Sequence, residues 1–164
     1  MLRKIAAHFR SLCGKLLSLH DAPHALAGGV AIGMFVGFTP LFGLKTLLCL
    51  ALAYVLRCNP IAAVIAVSLH DVVTPIWPVL LEIEYTIGER LLGMFGKLQP
   101  TAAHLKFSFH DLMKWSTFFG LGLPILVGSF FLSAPAALLS YWLTLPLFRR
   151  RFEKRALISN GDEP

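Results

Sequence analysis

Charge is scarce in this chain. Only 15% of its 164 residues are Asp, Glu, Lys or Arg, and 56% are hydrophobic. Soluble domains carry roughly 25% charged and 45–50% apolar residues, so the balance speaks against an ordinary soluble globule. Acidic residues are scarcest. Nine of them face 15 basic residues, and the first 20 positions hold Arg3, Lys4, Arg10 and Lys15 with no acid. Cysteine is scarce too. Cys13, Cys49 and Cys58 are odd in number and fit no zinc or haem spacing, which argues against a disulfide framework or a cysteine metal centre. No Ser-His-Asp triad pattern, His-Glu-x-x-His helix or P-loop is present. Catalytic residues, metal ligands and a cofactor are therefore not expected.

Apolar sequence is what the chain has. Its mean hydropathy is +0.69. Residues 118–148 run for 31 positions without a charge and end in Arg149-Arg150-Arg151-Phe152-Glu153-Lys154-Arg155. About 20 apolar residues suffice to cross a bilayer, so this is a membrane segment with a cationic stop behind it. The bases lie at the two ends of the chain. Residues 21–148 hold six bases and six acids and are neutral. A basic flank beside an apolar run marks anionic-lipid contact and topology control, and a nucleic-acid partner is not expected. Lys/Arg-rich flanks stay in the cytoplasm, which predicts that both termini are cytoplasmic.

The pattern predicts one all-α polytopic membrane domain over residues 1–155, with broken or re-entrant helices and interfacial amphipathic helices. Residues 2–19 place Leu2, Ile5, Phe9, Leu12 and Leu16 at helical spacing, as an amphipathic helix lying in the interface does. Residues 24–57 read as a helical hairpin. Gly29, Gly33 and Gly37 are four apart and share a face that admits a close neighbour. Pro40 and Gly43 break the helix. The arms are short, so the hairpin is either re-entrant or two thin crossings. Residues 60–81 read as a membrane helix interrupted at His70-Asp71 and Pro75. Residues 82–117 read as an amphipathic surface segment, with Glu82, Glu84 and Glu89 on a solvated or ion-paired face. Residues 118–148 form the C-terminal membrane segment, as one helix or two. Residues 156–164 read as a disordered tail.

Several of these residues carry a likeness. The stretch from Pro23 through Ala27, the glycine-rich helix, Thr39-Pro40-Leu41-Phe42-Gly43 and Arg57-Cys58-Asn59 resembles a bacterial family of small integral membrane proteins. That family is known only as a domain of unknown function, number two thousand and sixty-two. Glu84-Tyr85-Thr86-Ile87-Gly88 matches its Glu-Tyr-x-x-Gly element. The resemblance runs over roughly residues 3–148. It implies an inner-membrane location but no established activity. Some relatives carry the domain beside a glycosyltransferase, which implies a link to envelope glycan or lipid work. One departure stands out. Where relatives carry Asn-Pro-x-Thr, this chain reads Asp71-Val72-Val73-Thr74.

Ser-x-His-Asp occurs three times, at residues 18–21, 68–71 and 108–111, where composition predicts less than one His-Asp pair. The plain reading is Ser as helix N-cap with Asp in the first turn. The functional reading is a proton or metal relay. His70 and Asp71 differ from the other copies because they interrupt an apolar run, where ionisable groups are costly. Lys45 and Arg57 bracket the second hairpin arm. A deep Lys45 beside a helix break would favour an anion. The candidate polar membrane site is therefore Lys45, Arg57, His70 and Asp71, with Gly29, Gly33, Gly37, Pro40, Gly43 and Pro75 setting breaks and packing. The expected function is passage of a small ion or anionic substrate through that site. The alternative is a scaffold for envelope lipid or glycan enzymes, working as a homo-oligomer or with an enzyme partner.

Overall fold

A computed structural model describes residues 2–40, 44–72, 77–94 and 122–161. The described residues are 90% helical with no strand among them. Among them six helices follow in order: α1 (Leu2–Ser18), α2 (Pro23–Phe38), α3 (Lys45–Val55), α4 (Pro60–Asp71), α5 (Trp77–Met94) and α6 (Leu123–Gly161).

Local chemistry fixes the helix ends. α2 starts with Pro23 in its first turn, where proline's missing N–H costs nothing. It stops because Thr39 precedes Pro40, whose ring disfavours helical backbone at the preceding residue. Thr39 is extended, with ψ 133°. Pro60 likewise opens α4, and the Asn59 side chain caps it by accepting from Ala62 N at 2.7 Å. α3 ends in a left-handed residue, Arg57, at φ 53°. Cys58 N then donates back to Ala53 O at 2.8 Å, the six-to-one bond of a Schellman end. Glycine usually fills that left-handed position, and an L side chain there costs about 1 kcal/mol.

The helix bounds depart from the sequence reading in three segments. The segment expected over 60–81 falls on two helices, α4 and α5. α4 ends at Asp71, and residues from Trp77 onward belong to α5. His70 and Asp71 therefore sit at the end of a 12-residue helix rather than halfway along a 22-residue one. The surface segment expected over 82–117 begins instead as a packed helix, with Leu81, Glu84, Tyr85, Gly88 and Leu92 buried on one stripe. Its portion beyond Met94 lies outside the described residues, as do Gly43 and Pro75. The tail expected from residue 156 is helical as far as Gly161.

α6 is one helix of 39 residues, through Pro135 and Pro146. Each proline frees a carbonyl one turn earlier. Along the same stretch Ser133, Ser140 and Thr144 hydroxyls donate to carbonyls of the preceding turn, at 3.1, 2.8 and 2.6 Å.

α2 is the central helix and runs antiparallel to α6. Near its start, His24 meets Tyr141 and Arg149. Near its end, the Phe35 ring stands edge-on to Phe130, with centroids 5.7 Å apart. α2 also packs on α4 through its glycines. A side chain at Gly29 would strike Asn59 O and Ala62, and one at Gly33 would strike Ala63 O and Ala66. α5 and α6 cross more closely still. A Cβ on Gly88 would collide with the Pro124 carbonyl, and one on Gly128 with the Glu84 carbonyl.

Candidate functional site

The end of α2, the start of α3 and the end of α4 bring ionisable side chains together. Lys45 opens α3 just after the break that ends α2. Its side chain is 7% exposed, and its Nζ lies 3.1 Å from Asp71 Oδ1 at the end of α4. Nζ also donates to Gly37 O at 2.7 Å. That carbonyl belongs to the last turn of α2, which has no following helical turn to satisfy it. The break thus leaves an acceptor, and Lys45 fills it. The Asp71 side chain is 51% exposed, so the pair opens to the outside on the Asp71 side.

His70 lies on the glycine face. Its ring rests where a Gly37 side chain would be and tilts against Phe38 at 4.7 Å between centroids. His70 Nδ1 stands 3.8 Å from Asp71 Oδ1, beyond hydrogen-bond length. It is buried with no hydrogen-bond partner among the described residues.

A further buried carboxylate, Glu84, lies on α5. It is 1% exposed, and its Oε1 is buried with no hydrogen-bond partner among the described residues. The Lys45 ammonium lies within electrostatic range of it. Native proteins satisfy more than nine in ten buried polar atoms, so an orphaned carboxylate oxygen calls for a proton, an ion or a water. Among the described residues no three His, Cys, Asp or Glu side chains lie together as a metal site requires.

Of the residues singled out from sequence, Lys45, His70 and Asp71 meet, with Gly37 beneath them. Arg57 does not join them. It is exposed at the α3–α4 turn, at the opposite end of α4. Its neighbour Cys58 bears on Gly28, and burial pushes the Cys58 thiol up. Pro40 is half-buried at the break. The solvated or ion-paired face expected for Glu84 is corrected by its burial, at 1% exposure. The signal lay in Glu84-Tyr85-Thr86-Ile87-Gly88. Glu84 and Gly88 are four apart and share the face that crosses α6.

The Ser-x-His-Asp copies do not share one role. Ser18 Oγ donates to Lys15 O and Ser68 Oγ to Val64 O, each within its own helix, so neither caps a helix start. The third copy lies outside the described residues.

The second polar group sits at the other end of the bundle. Arg149 Nη2 donates to His24 Nε2 at 2.9 Å, which leaves the proton on Nδ1, facing Tyr141 Oη at 2.9 Å. Asn59 Nδ2 donates to Asp21 Oδ2 at 3.0 Å.

Fold and site together define a small helical protein in which, among the described residues, one helix, over Leu123–Arg155, is long and apolar enough to cross a membrane. Ionisable side chains are gathered where its shorter helices break. The chain belongs to the family of uncharacterized proteins conserved in bacteria, DUF2062, which matches residues 6–156. No curated protein and no solved structure matches it.

Proposed function

We propose that the chain is a polytopic protein of the bacterial inner membrane, with both termini cytoplasmic, that passes a small cation or proton at the Lys45–Asp71–Glu84 cluster. The observation that carries this is the buried, unpartnered Oε1 of Glu84. With Lys45 already paired to Asp71, a second carboxylate makes the cluster acidic. A cation or proton fits that balance. The anionic substrate inferred from Lys45 fits it less well, because Asp71 already holds the ammonium.

Support for embedding comes from the surface. Only 28% of the apolar window of α6 is buried, and Phe130, Phe131, Leu138, Leu139, Trp142, Leu143 and Leu147 point outward. α3 does the same with Leu47, Leu50, Tyr54 and Val55. A core helix would cover such residues, since monomeric soluble proteins rarely leave large apolar patches bare. The scaffold reading loses one of its supports, because Gly29, Gly33 and Gly37 are spent on α4 and on His70 within this chain.

The test is gradient decay in liposomes. Vesicles carrying the purified chain should discharge an imposed proton or potassium gradient faster than empty ones. Glu84→Gln should lose this while melting like the parent. Decay equal to that of empty vesicles, or full activity of Glu84→Gln, would overturn the proposal.

A further inference from the structure

A cavity of about 450 Å³ opens between the end of α1 and the basic end of α6. Phe148, Phe152 and Leu17 form much of its wall, and Arg151, Arg155 and His20 bring nitrogen to it. We propose that it holds one anionic phospholipid, with the phosphate on the two guanidinium groups and the start of an acyl chain along the phenyl rings. This rests on the reading that α6 crosses the membrane, and goes beyond it in naming a site.

The arginines are held in place before any ligand arrives. Arg155 Nη1 donates to Leu19 O at 3.1 Å, and its Nη2 reaches Leu17 O at 3.4 Å. Arg151 Nη1 reaches Leu17 O at 3.4 Å. These carbonyls end α1 and lack helical partners. Each guanidinium carries five N–H donors in a planar fork, so donors remain to face the cavity. Such forks match phosphate oxygens.

The one acid in the lining, Asp21, is turned to other work. Its two oxygens accept from Ala22 N at 2.8 Å and Asn59 Nδ2 at 3.0 Å. Two cations against one engaged carboxylate leave the cavity positive. The mainly apolar wall favours a lipid over a free phosphate. Its place, where an apolar helix turns basic, is where anionic headgroups lie.

The experiment compares melting of the full chain in non-ionic detergent with added dioleoyl phosphatidylglycerol, dioleoyl phosphatidylcholine or inorganic phosphate. Phosphatidylglycerol alone should raise the midpoint, by about 5 °C at a hundredfold excess over its Kd. Arg151→Gln with Arg155→Gln should abolish that rise, since glutamine can still donate to the carbonyls but carries no charge. Arg150→Gln with Lys154→Gln, on the same basic run but outside the cavity, should keep it. If the first pair melts early without lipid, Phe152→Asp serves instead. That ring is 55% exposed, and a carboxylate there should also abolish the rise. An equal rise with phosphatidylcholine or phosphate, or an equal loss from both double variants, would overturn the lipid site. Detergent melting does not depend on topology. Release of the chain from membranes by alkaline carbonate would overturn the membrane reading instead.

Discussion

At the scale of single residues, the instructive pair is Lys45 and Asp71. The ammonium is buried and the carboxylate is half in water. Removing the carboxylate therefore takes the paired charge from a buried ammonium, which keeps its bond to Gly37 O. Asp71→Leu should cost about 1–3 kcal/mol, below the 3–5 kcal/mol of a fully buried pair and above the surface value. Asp71→Asn should cost less than about 1 kcal/mol, because the amide oxygen still accepts from Nζ. Adding Lys45→Met to Asp71→Leu should cost less than the sum of the two single losses, since the buried charge that lost its counter-ion is gone. Thermal unfolding of the parent, Asp71→Leu, Lys45→Met and the double variant in detergent closes this cycle, and simple additivity of the two losses would refute the coupling. The sequence carried half of this site. His70 and Asp71 were legible because a charge in an apolar run stands out. Glu84 was hidden, because a carboxylate near other carboxylates looks like any wetted face until its partner helix is known.

At the scale of elements, glycine decides how near two helices come. At Gly88 and Gly128 the obstruction to a methyl group is the backbone of the opposing helix, which cannot turn aside as a side chain can. Gly88→Ala or Gly128→Ala should therefore cost about 2–3 kcal/mol, at the upper end for overpacking, and should loosen α5 from α6. Gly14 is the control. It lies mid-helix in α1 with nothing within 4 Å of an added Cβ, so Gly14→Ala should gain up to about 1 kcal/mol from helix propensity. Melting temperatures that fell equally for all three would contradict this. The Gly29, Gly33 and Gly37 seam was legible from spacing alone. The Gly88–Gly128 crossing was not, because neither glycine has a small neighbour at helical spacing in its own helix. The helix breaks were legible where proline and asparagine cap or stop a turn, at Pro23, Thr39-Pro40 and Asn59-Pro60. The extension of α6 to Gly161 was not, because a polar, aperiodic sequence gives no packing signal.

At the scale of the whole molecule, Arg151 and Arg155 grip the end of α1, so the two basic ends of the chain share one side of the bundle. Reporter fusions at the two termini should give the same compartment, and a fusion at residue 100 the opposite one. A fusion at residue 100 that matched the termini would refute it. The grip also bears on the order in which the molecule can be made. α1 leaves the ribosome first and α6 last, yet each end of the bundle is fastened by α6: at the near end through Arg149, Arg151 and Arg155, at the far end through Phe130 and Gly128. The α2–α4 seam needs nothing beyond residue 71 and can zip during synthesis. The last carbonyls of α1 stay unclaimed until the final basic turn emerges. A nascent chain cut short before that turn would keep its glycine seam and carry a first helix held only by the packing of Leu16 on Leu26, Ala62 and Ile65.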